Sequence, residues 1–100
     1  MDAVIIPFGL PRPVAQELIN GLAVKGQFSI EPHAKDGMLR RSITMRQTIM
    51  TMQEGTINQG PEMDEYGDWR CRVRKRTAGR LVRVVVAIHD MRFLYVISVH

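Results

Sequence analysis

Arg70, Arg72, Arg74 and Arg76 occupy alternate positions in the stretch Trp69-Arg70-Cys71-Arg72-Val73-Arg74-Lys75-Arg76. In an extended chain, alternate side chains share one face and lie about 6.6 Å apart, close to the separation of successive phosphates along a nucleic-acid strand. Four guanidiniums in such a row can hold phosphates and stabilise the negative charge that builds on phosphorus during phosphoryl transfer. Arg80 and Arg83 extend the basic region, with Lys75 and Arg92 as reinforcement. A solvated face, or an edge strand blunted by charge against unwanted pairing, would show the same alternation. His100 adds a group that titrates near neutrality, and RNA cleavage by its own 2′-hydroxyl needs only proton transfer and charge stabilisation. Tyr95 could stack on a base or donate a proton. His100 could equally be a frayed end of the strand that precedes it. His89 belongs to a turn, and the three histidines lack the spacing of a metal site. No metal or cofactor is therefore expected. Cys71, the single cysteine, alternates with Trp69 and Val73 on the apolar side, which predicts a buried, inert thiol.

The elements that position these groups follow from periodicity and turn chemistry. Pro11 and Pro13 suit a helix entrance, and Val14, Leu18 and Leu22 recur at four-residue spacing before Lys25 and Gly26, predicting a helix over 13–25. Phe28 to Glu31 is a short extended piece. A short helix over 33–41 follows, weakened by Gly37. Thr44-Met45-Arg46-Gln47 has the form of a capping box, which starts a helix over Met45 to Glu54. The methionines on that helix are more simply core than a binding stripe. Beyond Gly55 the period becomes alternating. Strands are expected at 56–59, closed by Gly60-Pro61, then at 69–76, 81–88 and 93–99, with turns at 77–80 and 89–92. The result is an α+β fold, two or three helices packed on a three- to four-stranded antiparallel sheet whose other face is partly open.

Composition sets the outer limits. The chain has 100 residues, 45% hydrophobic and 24% charged, which fits one globular domain with residues 1–12 as an N-terminal extension. No run approaches the roughly 18 apolar residues of a membrane span, and Met1-Asp2-Ala3-Val4 lacks the basic start of a secretory signal. A cytoplasmic protein is expected, with no membrane partner. The net charge of +4 conceals a sorting: Arg70 to Arg92 carries eight basic residues against Asp90, whereas Glu62, Asp64, Glu65 and Asp68 precede it without a basic residue. That asymmetry favours an anionic partner. The acidic loop is either a solvated connection or a cover for part of the basic surface.

With this pattern laid out, Phe28 to Val99 resembles the RelE/ParE-like superfamily, and within it an uncharacterised domain family. The matching residues are Phe28-Ser29-Ile30-Glu31-Pro32-His33-Ala34, Met38, Arg41, Ile43 and the helix ending Met52-Gln53-Glu54-Gly55-Thr56-Ile57. Trp69, Gly79-Arg80, Val84-Val85-Val86 and Ile97-Ser98-Val99 continue the likeness. The chain is also similar to MqsR-type toxins in Trp69, Gly79, Ile88-His89-Asp90 and Val96-Ile97-Ser98-Val99. The resemblance implies a RelE-like fold and a metal-independent messenger RNA endoribonuclease, the toxin of a type II toxin–antitoxin pair, with RNA and an antitoxin protein as partners. Arg70, Arg72, Arg74, Arg76 and Arg80 would bind RNA; His100, Arg83 and Tyr95 would be catalytic. His33 and Arg41 match the family motif with no role assigned. Gly37 stands where that family usually has its first arginine, and His100 about where the MqsR-type chain has lysine. The alternative is a non-catalytic module whose basic sheet holds an acidic protein or a nucleic acid.

Overall fold

The computed structural model describes residues 9–100, so the N-terminal segment 1–8, with most of the expected extension, lies outside the described residues. Of that extension, Leu10 is buried in the core and Pro11 is the cap of the first helix. Helices α1 (Arg12–Val24), α2 (Pro32–Arg41) and α3 (Met45–Glu54) accompany strands β1 (Phe28–Ile30), β2 (Thr56–Met63), β3 (Trp69–Thr77), β4 (Arg80–His89) and β5 (Phe93–Val99). The fold is α+β, with three helices and one five-stranded sheet in the order β1-β5-β4-β3-β2.

Two features differ from expectation. The extended piece after α1 is a fifth strand, β1, pairing parallel with β5 through Phe28–Leu94, Ser29–Tyr95 and Ile30–Val96. The sheet is therefore mixed, and larger than three or four strands. Strand β2 also continues through Gly60-Pro61 instead of closing there, with irregularities between Ile57 and Gln59 and between Gln59 and Glu62. Bulges of this kind, on an edge strand where one side needs no donor, let the chain absorb a proline without ending the pairing.

Alternation explains the core. Val73 on β3, Val82, Val84, Val86 and Ile88 on β4, and Leu94, Val96 and Val99 on β5 are all buried on the helix-facing side, against Ile19 of α1 and Met52 of α3. Cys71 joins this layer, and its burial raises the thiol pKa to about 11. Both reciprocal bonds of the Thr44 capping box form: Thr44 Oγ1 accepts from the Gln47 N–H at 3.0 Å and Gln47 Oε1 from the Thr44 N–H at 2.9 Å.

Side-chain amides lock α1 to the start of the sheet. Gln16 donates to the Gly55 carbonyl at 2.7 Å and accepts from the Ile57 N–H at 2.7 Å, while Asn20 donates to the Met52 carbonyl at 2.8 Å. The two residues thus satisfy backbone groups left over where α3 ends and β2 begins. Gly55 is required at this junction, because a Cβ there would overlap the Thr51 carbonyl oxygen and lie 2.8 Å from that of Arg74.

The Ala78-Gly79 loop has the positive φ at both residues that two-residue hairpins favour, 52° and 79°, and the three-residue connection Asp90-Met91-Arg92 has positive φ at its first two, 51° and 57°. They fix the register of β3 on β4 and of β4 on β5, and with it which side chains face outward.

Candidate nucleic-acid interface

The register sets the open sheet face out in rows. Arg70 pairs with Ala87 and Ala87 with Tyr95; Arg72 pairs with Val85 and Val85 with Ser98; Arg74 pairs with Arg83. His100 continues this last row, since Arg83 and His100 exchange both backbone bonds at 2.8 Å. That exchange holds His100 as one more residue of the β5 ladder, not a frayed end. Successive rows are about 6.6 Å apart by strand geometry. Arg70, Arg72, Arg74 and Arg76 thus form a column along β3, and Val85 and Ala87 form a low trough beside it. Tyr95, Ser98 and His100 stand on the trough's far side.

Helix α2 brings a second set of groups to the same place. It follows β1 directly and packs on β5, where Gly37 approaches so closely that a Cβ would sit 3.0 Å from the Val99 carbonyl oxygen. A side chain at this position would press on the strand, which is the physical sense of glycine here. His33, Gly37 and Arg41 recur every four residues, so one stripe of α2 lies against this end of β5. Arg41 Nη1 turns back to the Gly37 carbonyl at 3.5 Å.

These placements surround His100 with cations. Partial burial lowers its pKa from the ordinary 6.5, and the positive charges of Arg41, Arg72, Arg83 and His33 lower it further. The lowered pKa favours the neutral ring at pH 7, and Nε2 lies 3.1 Å from Ser98 Oγ. Arg72 Nε is buried without a hydrogen-bond partner among the described residues. No described carboxylate lies within ion-pair distance of Arg41, Arg72, Arg74, Arg76 or Arg83, although Asp64 reaches Arg70 at 3.8 Å. A cleft of about 240 Å³ runs between Gln59, Glu62, Arg70, Arg72, Ser98 and His100, so one carboxylate shares its wall with the cations. A separate apolar hollow of about 620 Å³, between Lys35, Leu39, Ile43 and Met45, carries no acid–base pair.

Other anticipated site residues lie elsewhere. Arg80 pairs with Thr77 and so falls on the helix side of the sheet, where its guanidinium donates to the Ser42 carbonyl at 3.3 Å. It is outside the arginine column. Lys75 is also on the helix side, paired with Glu54 at 3.5 Å. Tyr95 shares the open face with His100 but stands two rows away, beside His89 and Phe93. His89 ends β4, ahead of the turn, with Nδ1 2.8 Å from Asp68 Oδ1. The acidic loop is an ordered turn in which Asp64 Oδ1 accepts from the backbone of Tyr66 and Asp68 at 2.9 and 3.0 Å. Ser98 is a site residue that the motifs passed over, although its two-residue spacing from His100 puts both on one face.

Among the described residues, no group of three His, Cys, Asp or Glu side chains is placed to hold a metal ion, and no helix is long and apolar enough to cross a membrane. Fold and site together define a small α+β domain with a basic open sheet face. The model of a family described as a domain of unknown function (DUF4258) matches residues 30–100, and the chain belongs to that family. The match runs from the end of β1 to His100 and spans the whole cation cluster. No curated protein and no solved structure matches the chain.

Proposed function

We propose that this protein is a RelE-like endoribonuclease of the toxin–antitoxin type, acting in the cytoplasm on messenger RNA bound across its open sheet face. The observation that carries the reading is the row Arg74–Arg83–His100, flanked by Arg72 and Arg41. Like charges directly opposite on neighbouring strands oppose folding. A bound anion removes that cost.

The chemistry follows from the groups present. Neutral His100 accepts the proton of a 2′-hydroxyl as its oxygen attacks the adjacent phosphorus. The bond from phosphorus to the 5′-oxygen breaks, leaving a 2′,3′-cyclic phosphate, and the departing 5′-oxygen takes a proton from water. Arg41, Arg72 and Arg83 stabilise the added negative charge on the phosphoryl oxygens. The general base and the charge stabilisation are protein groups, so the route needs no metal. Tyr95, two rows from this centre, binds and does not exchange protons. Arg70, Arg72, Arg74 and Arg76 hold the phosphates to either side. The antitoxin would neutralise the protein by covering this face.

The test is inducible expression in bacteria, with growth curves and primer extension on total RNA, for wild type beside His100→Ala and Arg83→Gln. Growth arrest with new RNA 5′ ends that vanish in both variants supports the assignment. RNA that stays intact in the presence of well-folded protein overturns it and leaves a binding module.

A further inference from the structure

The open face has an aromatic end that the cleavage chemistry does not use. Tyr95 lies between His89 and Phe93, with ring centroids 5.6 Å and 5.4 Å away and interplanar angles of 57° and 64°. All three belong to the outward-facing set, because Tyr95 pairs with Ala87 and Phe93 with His89. The His89 side chain is half exposed, and Asp68, whose side chain is only 11% exposed, fixes it through the 2.8 Å contact to Nδ1. A buried carboxylate therefore orients an exposed ring on a solvent-facing sheet surface.

The position of this cluster relative to the charges is specific. Arg70, Ala87 and Tyr95 are successive members of one row, so the Arg70 and Tyr95 backbones are about 10 Å apart, two strand spacings. Between them Ala87 presents only a methyl group. Two rows further along, at about 13 Å, is His100. Phosphates one row apart on the β3 column would carry their bases across the trough towards β5, and the base level with Arg70 would arrive at Tyr95.

We infer that His89, Tyr95 and Phe93 form a stacking site for an unpaired nucleobase, and that the nucleic acid on this face is single-stranded, with one base held about two nucleotides from the phosphate at His100. The inference rests on the nucleic-acid reading of the open face and names the substrate class. A duplex would keep its bases stacked on one another, out of reach of a ring on a flat sheet. Stacking is tolerant of base identity because every base presents a π-face, so the site selects strandedness more than sequence.

The experiment uses the full chain and a short oligouridine, all 2′-deoxy to prevent cleavage, with 2-aminopurine at one internal position in a second copy. Wild type should bind the single strand with salt-dependent affinity and quench the 2-aminopurine, and should bind a duplex of equal length more weakly. Tyr95→Ala should lose about tenfold in single-strand affinity together with the quenching, and Tyr95→Phe should retain both. Arg72→Gln should weaken single strand and duplex alike. If Tyr95→Ala binds as wild type does while Arg72→Gln is impaired, the stacking site falls and the phosphate track stands. If wild type prefers the duplex, the single-strand assignment falls. If it binds neither, the stacking site and the ribonuclease reading fall together. Tyr95→Leu, which keeps an apolar side chain but no ring, keeps the test sound should Tyr95→Ala fold poorly: it should lose the quenching, and full quenching in that variant would overturn the stacking site.

Discussion

Replacing Arg83 by glutamine should make the protein more stable at low salt and a poorer binder of RNA. Arg74 and Arg83 are direct cross-strand partners on the open face, and neither has an ion pair among the described residues. Opposed side chains start about 5 Å apart at Cβ, and two splayed guanidiniums at roughly 7 Å repel by on the order of 0.5 kcal/mol in a water-like dielectric. With a urea m-value of roughly 1–1.5 kcal/mol per molar for a chain this size, the midpoint should rise by about 0.3–0.5 M. Urea is required because guanidinium would itself screen the pair. The reporter is Trp69, the only tryptophan, partly buried against the core. At 1 M salt the Debye length falls to about 3 Å, so the gain should disappear, whereas any packing difference between the two side chains persists. Arg74→Gln should give a similar gain, and the double variant less than the sum. RNA affinity should fall and become less steep in salt, the log–log slope shrinking by roughly 0.7 for a single-strand phosphate that the variant no longer neutralises. Equal midpoint shifts at low and high salt would refute the reasoning, because the pair would then store no repulsion for an anion to relieve.

Further outcomes are expected at His100 and Arg41, at Cys71, and at two positions around α3. The His100 ring should titrate below 6.5 by NMR, and because the native state binds fewer protons, its contribution to stability is present above pH 6.5 and lost as pH falls through the folded value. Arg41→Gln should move that midpoint upwards; an unchanged midpoint would separate the α2 stripe from the site. Cys71, at about 11 against 9.0, should react with a thiolate-specific reagent at pH 8 about a hundredfold more slowly in the native protein than in urea. Thr44→Ala should cost about 1 kcal/mol in thermal or urea unfolding, through loss of the reciprocal cap. Gly55→Ala should cost about 1–3 kcal/mol by overpacking two backbone carbonyls, visible as a lower melting temperature with the anion site intact.

Local signals were legible and distant ones were not. The helix Met45–Glu54 and the strand Phe93–Val99 have the bounds that capping and alternation predict, and the arginines do share one face. Arg80 could have been excluded from that face by counting parity across the two-residue turn Ala78-Gly79, which pairs it with Thr77. The parallel pairing of β1 with β5 had no such signal: three residues join a partner some 66 positions away, and their own pattern is that of any short extended piece. His33 and Arg41 come to the His100 end of β5 through that pairing, which sets where α2 begins, and through the packing of α2 on β5. The amide contacts of Gln16 and Asn20 likewise depend on which helix lies over the α3–β2 junction. They belong to α1, which precedes the segment that matches the family.

The contacts of α1 with β2 also bear on how the molecule can assemble. Strand β2 is one edge of the sheet, but Gln16 occupies the Ile57 N–H and Arg12 donates to the Gly60 carbonyl at 2.8 Å, while Pro61 has no N–H to offer and two bulges break the line. At the opposite edge β1 is only three residues long. Neither margin offers the uninterrupted ladder of donors and acceptors that a foreign strand needs for docking by backbone pairing. Among the described residues, neither edge of the sheet is therefore a ready template on which copies of this chain could add strand to strand.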